Sequence, residues 1–539
     1  MYVHFGYLGS SAVLCAVAVW GQTGTSGING TVTDPQGKAI PGAKVTITNT
    51  ATSTSRTMQT SDTGAFIFDL ITLGDYRLEV EAKGFNKAVV DDVKALIGKS
   101  TENNVRLEVG QMSQVVEVRG TANAVINTQD ASLGNVFESA QITQLPLEAR
   151  NLVDLLSLQP GSTREGYVTG SRADQSNVTL DGVDINNAQT GNAQIADSSN
   201  SLVIGGLSTD RTNITNGPVL RLNSEAIEEF RVTTANGNAD QGRSAGAQIS
   251  LATKSGSNAF HGSAYEFYRG TSFEANDWFN NAAGVPRTPL VRNTFEGSIG
   301  GAILKDKLFF FYDYAGRRDA TATSVSRVVP LASLGKGIIN YTYCPDAACN
   351  APVPASLSAT QVQQAYSDTG INQIALQALA DAASKFPAND TSVGDGLNTG
   401  GFRFNAPTPL KLNSHVAKLD YTINSKQNLF VRLNYISDTQ DLAQWLPGDV
   451  TPLVWSHPRG MAVGHNWTIG NNWVNNLRYG FTRQAFTEGG DSFGNGISFR
   501  FVFQPNSQSH TLTRVTPVHN ITDDISWIHG RHTLCLGSV

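Results

Sequence analysis

Apolar and polar residues alternate in short runs from Gly27 to Val109, where INGTVTD, AKVTITNT, GAFIFDL, YRLEVEA and NNVRLEV are each ended by Gly, Pro, Asp or Asn. That spacing predicts a small β-sandwich. Over residues 145–158 the period changes. Leu145, Leu147, Leu152, Leu155, Leu156 and Leu158 return at intervals near three and four, and Pro160-Gly161 stops the run, which predicts a helical segment. Val178-Thr179-Leu180 then reads as a short strand entering the turn dipeptide Asp181-Gly182. From Phe260 onward strands of roughly ten residues recur, each with one apolar and one polar face. In residues 413–423, Ala417, Leu419, Tyr421 and Ile423 oppose Lys418, Asp420 and Thr422; in 429–435, Leu429, Val431, Leu433 and Tyr435 oppose Arg432 and Asn434.

A soluble sandwich shows similar alternation, so the connections decide. Short turns at 305–307, 424–427, 471–472 and 529–531 alternate with long polar connections at 270–292, 318–410, 437–459 and 489–510. Short turns at one end and long loops at the other predict a transmembrane β-barrel, whose apolar face meets lipid and whose polar face lines the lumen. Aromatic residues crowd the strand ends at Tyr265, Phe267, Tyr268, Phe309 to Tyr312, Trp467, Trp473, Tyr479 and Trp527, as an interfacial girdle requires. Nine such runs are found, at 262–269, 293–303, 308–317, 413–423, 429–436, 461–470, 474–486, 515–527 and 533–539. A barrel of about eight strands is filled by its own side chains, whereas outer-membrane transporters with a plugged lumen have about 22. The expectation is therefore a partial barrel, the sequence being a fragment of a longer chain. At the other end SAVLCAVAV, residues 11–19, is too short to span a bilayer and reads as the core of a signal peptide over residues 1–21.

Charge and composition narrow the partners. The chain has 539 residues, 16% of them charged, 52 glycines, and a net charge of -6, with no block of Lys or Arg. There is no basic footprint for nucleic acid. Of four cysteines, only Cys344 and Cys349 lie close together. In an oxidising compartment they are a disulfide candidate, while zinc would need two further ligands that the neighbourhood lacks.

Three motifs lie in order between the two β regions. Leu145, Pro146, Leu147, Arg150 and Asn151 form an L-P-L…R-N run, residues 155–161 read L-x-x-L-x-P-G, and Leu180, Asp181 and Gly182 begin an L-D-G-V-D corner. Together they resemble the plug domain of TonB-dependent outer-membrane receptors, specifically the Oar-like group. The stretch 224–258 is similar to that family's closing plug strands and their link into the barrel. Upstream, G-x-V-x-D-x-x-G-x-x-I-P-G-A at 30–43, T-x-x-x-x-x-T-G-x-F at 57–66 and G-D-Y-R-L-E-V-E-A-x-G-F at 74–85 resemble a carboxypeptidase-regulatory-like, carbohydrate-binding-like module. The implied fold is mainly β: a prealbumin-like sandwich at 25–110, a linker at 111–120, an α/β plug at 121–256 and a partial antiparallel transmembrane barrel at 257–539. The implied place is the outer membrane of a Gram-negative-type cell, with sandwich and plug facing the periplasm and the barrel lumen.

The resemblance implies transport rather than catalysis. The accessory module carries no peptidase activity in its family, and none of the nine histidines begins an H-x-x-E pair. No H-E-x-x-H or G-x-x-x-x-G-K-[ST] motif occurs, and no cofactor is implied. Val115, Val116, Glu117 and Val118 stand where receptors of this family carry the strand that pairs with a TonB-type energy-coupling protein; a linker strand closing the sandwich or opening the plug is the other reading. Glu225, Glu228 and Glu229 look like a carboxylate cluster, but no His or Asp completes it, and a solvated helical turn is expected. Two functions remain: uptake of a small ligand or glycan across the outer membrane, or surface adhesion by a sandwich that the barrel anchors in lipid.

Overall fold

The computed structural model describes residues 24–538 apart from 111–114, 119–130, 145–151, 164–166, 173–174, 189–218, 238–241, 243, 277–285, 288, 346–348, 350, 367–369, 471, 492–497, 500–503, 505–509 and 530–531. The proposed leader, Leu145, Pro146, Leu147, Arg150 and Asn151 lie outside the described residues.

The N-terminal module is built from β1 (Ser26–Thr33), β2 (Lys44–Asn49), β3 (Ser55–Gln59), β4 (Ala65–Ile71), β5 (Gly74–Glu81), β6 (Lys87–Ala95), β7 (Ser100–Glu102), β8 (Val105–Arg106) and β9 (Val115–Val118). One sheet runs β4-β1-β7 with β8 also on β1; the other runs β3-β2-β5-β6-β9. The alternation seen in the sequence decides what lies between them. Ile28, Val32, Val45, Ile47, Phe66, Phe68, Leu78 and Val80 are all buried there, while Lys44, Glu79 and Glu81 between them form ion pairs at the surface with each other and with Lys87. β9 joins β6 in parallel, Lys87 opposite Val115 through Val90 opposite Val118, and so forms one edge of its sheet.

The plug is a sheet of order β10-β13-β14-β11-β12, from β10 (Leu133–Glu138), β11 (Asn177–Leu180), β12 (Val183–Asp184), β13 (Ile227–Ala235) and β14 (Gln248–Thr253). The leucine run gives a 3-10 helix at Leu152–Leu158. Leu152, Leu155 and Leu156 enter a core with Phe230, Ile249 and Leu251, whereas Leu158 is exposed. The three glutamates do not form a solvated turn. Glu228 and Glu229 lie in β13, and Glu225 and Glu229 are buried. The reason is a neighbour the local pattern does not show: the sandwich turn after β6 packs on β13. There the Ile97 N–H donates to the Glu229 carboxylate at 2.7 Å, and the Arg231 guanidinium donates to the carbonyls of Ile97, at 3.2 Å, and Gly98.

The third region is one large antiparallel sheet. Its path is β15 (His261–Gly270), β16 (Leu290–Leu304), β17 (Leu308–Pro330), β21 (Leu410–Asn424), β22 (Gln427–Ile436), β25 (Arg459–Ile469) and β26 (Trp473–Gly489). Beyond β26 come β27 (Leu512–His529) and β28 (His532–Ser538), and the short strands β20 (Thr399–Pro407), β23 (Asp438–Asp441) and β24 (Leu453–Ser456) extend the outer end. Leu419, Tyr421, Leu433 and Tyr435 are exposed on one face, while Lys418, Arg432 and Asn434 are buried on the other.

Two expectations are corrected here. The connection 318–410 is not merely a loop: β17 continues to Pro330 and pairs with β20, and between them lie a hairpin of β18 (Ile338–Tyr343) with β19 (Val353–Ser358) and helices at Ala359–Ala365 and Gln373–Lys385. Cys344 and Cys349 form a disulfide just beyond β18. Nor are all the strand-end aromatics a girdle. Phe309 and Phe311 are buried on the inner face, with Phe311 against Ala226 of the plug, and Tyr265 bonds inward to Ser224 and Glu296. Trp467, Trp473 and Trp527 do sit by the short turns, the last two stacked at 5.4 Å.

The plug core depends on Phe230, fully buried with its ring 5.8 Å from that of Phe137. Phe230→Ala should cost about 3–5 kcal/mol. Native-state proteolysis is expected to show faster cleavage within the plug while the wall strands stay protected; unchanged plug protection would contradict this packing.

Candidate functional site

The corner between β11 and β12 is a two-residue hairpin in which Leu180 faces Val183 and Asp181-Gly182 makes the turn. Both turn residues have positive φ, 50° and 76°, the combination that Asp-Gly supplies most readily. This geometry delivers the Asp181 side chain to the inner face of the wall. Its Oδ1 accepts from the Thr253 N–H at 2.9 Å and its Oδ2 from the Thr253 hydroxyl at 2.8 Å. Arg432 Nε of β22 lies 3.3 Å from Oδ2, and Lys418 Nζ of β21 lies 3.9 Å from Oδ1 while donating to the Thr253 carbonyl at 2.9 Å. Arg432 has no exposed surface at all. Burial opposes ionisation of Asp181, but Lys418, Arg432 and the Thr253 donors outweigh it and hold the carboxyl below its ordinary value.

Further contacts fix the plug around this point. Arg221 pairs with buried Asp438 at 2.8 Å, Asn223 donates to Asp313 at 2.7 Å, and the Glu225 N–H donates to Glu296 at 2.9 Å. Where the plug presents apolar side chains, the wall has glycine. A Cβ on Gly480 would lie 2.2 Å from Val183, and one on Gly460 would lie 2.4 Å from Leu220. Beside the apolar Phe309, Phe311 and Val416 the inner face carries many polar groups, and Asn434, Asn476 and Gln484 are buried with both amide atoms unpartnered among the described residues.

The sandwich reaches the same corner from the side of the short turns. A Cβ on Gly24 would stand 3.0 Å from the Gly182 nitrogen, so only glycine lets the chain pass so close to the turn. Ser526 of the wall donates to Asp69 at 2.6 Å, and the Asn258 N–H donates to the Ala51 carbonyl at 3.0 Å. Between sandwich, plug and wall lies a cavity of about 410 Å³ whose lining includes Asn49, Asp181, Lys254, Lys418, Asp420 and Arg478.

Of the sequence candidates, the structure places Leu180, Asp181 and Gly182 at the plug–wall contact, and Val115 to Val118 on the sandwich edge. Alternation put Lys418 and Arg432 on the inner face but could not name Asp181 as their partner. Asp438, Asn223 and Glu296 had no local signal.

A folded plug seated by buried charge against the inner face of a large antiparallel sheet defines an outer-membrane β-barrel protein with a plug domain. Residues 252–538 match the family described as Outer membrane beta barrel domain, and residues 27–108 match the Carboxypeptidase regulatory-like domain. The chain belongs to the outer-membrane β-barrel family, with a carboxypeptidase regulatory-like domain in front, and its place is the outer membrane. It is 26% identical over 329 residues to the TonB-dependent transporter Oar of Myxococcus xanthus, which covers 58% of this chain and 28% of that protein. Among solved structures it is similar to the outer membrane transporter YddB from Escherichia coli, with 12% identity, a TM-score of 0.44, and coverage of 73% of this chain and 45% of that one. The siderophore receptor PirA from Acinetobacter baumannii gives 12% identity and a TM-score of 0.40, covering 74% of this chain and 46% of that one. The chain thus spans less than half the length of each of these relatives.

Two outcomes follow from the charges. Asp181→Asn leaves Arg432 buried without a counter-charge, which typically costs about 3–5 kcal/mol. Protease protection of the plug should drop in the variant, and wild-type protection should be complete above about pH 4, the unfolded carboxyl value, and be lost as pH falls through the lower folded value. Glu229 behaves in the opposite sense. Burial raises its carboxyl from about 4.5 to about 8, so the docked state holds a proton that the free carboxyl releases. The sandwich–plug contact should be firmest below about 4.5 and weaken as pH rises to about 8. Hydrogen exchange at Ile97 is expected to quicken over that window, and Glu229→Gln should flatten the dependence.

Proposed function

We propose that the chain acts in TonB-dependent uptake of a small ligand or glycan, with the plug as the moving part and the wall as its housing. The observation that supports this most is the character of the plug–wall contact. A plug meant to stay would be sealed by apolar side chains; this one is held by Asp181, Arg432 and Lys418, by Arg221 and Asp438, and by polar groups around small wall residues. Beyond these charge contacts only local apolar patches have to part: Val183 and Leu220 on wall glycines, Ala226 on Phe311, and the plug cluster on Ile436. The reading assigns no covalent chemistry to any residue.

Val115, Val116, Glu117 and Val118 are the proposed contact for a TonB-type energy-coupling protein in the periplasm. As β9 they occupy a sheet edge, with β6 on one side, and a sheet edge is a template for an added strand. The segment also lies between sandwich and plug in the chain, so a partner paired with it would pull where the two meet.

Val116→Pro removes one backbone donor from this edge. Association with the purified periplasmic domain of the coupling protein should fall about tenfold or more, and ligand uptake by cells should be lost while ligand binding persists. Uptake and association equal to wild type would remove the coupling role from this segment; association lost with uptake unchanged would favour an anchored binding protein over a transporter.

A further inference from the structure

The membrane-facing side of the wall carries two opposed arginines to which the proposed uptake assigns no role. On β26, Trp473 marks the short-turn end, and ten residues later the same face presents Arg483. At about 3.4 Å per residue and a tilt near 40°, that separation is about 26 Å along the membrane normal, the height of an outer-membrane apolar band. Between the two levels lie Leu477 and, on β27 and β22, Ile521 and Leu433, all exposed. Arg483 therefore stands where the apolar band ends and lipid headgroups begin.

Directly opposite it on β25 is Arg459. Side chains of a directly opposed antiparallel pair have Cβ atoms about 4.5–5.5 Å apart, and like charges there repel. Neither arginine has a carboxylate partner among the described residues. The Arg459 guanidinium lies 4.8 Å over the Tyr435 ring, which fixes its direction without neutralising it. His457 completes the group: its ring is stacked on Trp455 at 3.9 Å, and its Nδ1 is buried without a partner. Burial disfavours its protonation, a hydrogen bond with the Trp455 backbone favours it, and the charges of Arg483 and Arg459 again oppose it, so it lies within their field. Trp455 is anchored by its Nε1–H donating to Ser437 at 3.1 Å and remains exposed.

We propose that Arg459, Arg483 and His457 bind the phosphate of a phosphorylated glycolipid in the outer leaflet, with Trp455 against its sugar. A phosphate supplies what the opposed arginines lack, a dianion able to accept from two guanidinium groups at once. The position selects a lipid over a soluble anion, because the pair opens on the membrane-facing side at headgroup height. It is distinct from the polar inner face, where the plug takes up the charged groups.

The test uses the whole chain in zwitterionic detergent, with diphosphoryl lipid A and the same lipid stripped of phosphate as probes, read by native mass spectrometry. Wild type should bind the phosphorylated lipid about tenfold more tightly. Arg459→Gln with Arg483→Gln should abolish that preference, Lys411→Gln, elsewhere on the same face, should keep it, and the double lysine variant should retain most of it. The Trp473–Trp527 stack gives a near-ultraviolet signal that reports whether each variant is folded. Equal binding of the two lipids by wild type overturns the proposal without any variant, as does an unchanged preference in the double glutamine variant. Displacement of lipid A by an equal concentration of inorganic phosphate would also overturn it, showing a soluble-anion site.

Discussion

Arg432 is a guanidinium with no exposed surface on the inner wall of a membrane sheet, and its ion-pair partner is Asp181 of the plug. Burying one such ion alone is prohibitive, and even a matched pair gains little net stability over apolar packing. What the pair does is make each partner depend on the other. The wall tolerates Arg432 and Lys418 inside only while the Asp-Gly corner is seated, and the corner is seated only because two positive φ values point its carboxylate at them. The plug's register against the wall follows from this, including the fit of Val183 over Gly480 and Leu220 over Gly460.

The sandwich is tied into the same arrangement from below. Gly24 lies against the corner itself, Ile97 and Gly98 bond to Glu229 and Arg231 in the middle of a plug strand, and Asp69 meets the wall at Ser526. Most of these contacts are hydrogen bonds or ion pairs rather than shared apolar core. Sandwich and plug, each with its own hydrophobic cluster, are thus joined to each other largely by polar contacts, while the plug cluster also takes in Ile436 of the wall. Such junctions are selective in geometry yet can be parted without disrupting the cores, because their groups are re-solvated on separation.

How far the sequence disclosed this depends on whether the cause of each feature is local. Period-two alternation is local, so the inward placement of Lys418 and Arg432 and the outward placement of Leu419 and Leu433 could be read directly. The Asp181-Gly182 turn was legible for the same reason, since few residue pairs accept that backbone. Asp181 as the counter-ion was not, because more than two hundred residues separate it from the wall strands. Glu229 was misread since its burial is imposed by the sandwich. The continuation of β17 through Asp319, Ala320, Thr321, Ala322, Thr323 and Ser324 has no large apolar side chain to reveal it: above the membrane a strand needs neither face to meet lipid. Phe309, Phe310, Phe311 and Tyr312 form an unbroken aromatic run, in which composition alone gives no face.

The direction of β9 on β6 has a mechanical meaning. Parallel, in-register strands pulled along their length resist in shear, all the bonds of the Val115–Val118 ladder bearing the load together. The same strand peeled sideways would yield one bond at a time at much lower force. A tension along the chain between sandwich and plug therefore meets the ladder in its stiff orientation and is passed through β6 toward Ile97 and Gly98, whereas a lateral tug would simply unzip it. The sandwich edge is a directional fastener, strong along one axis and weak across it.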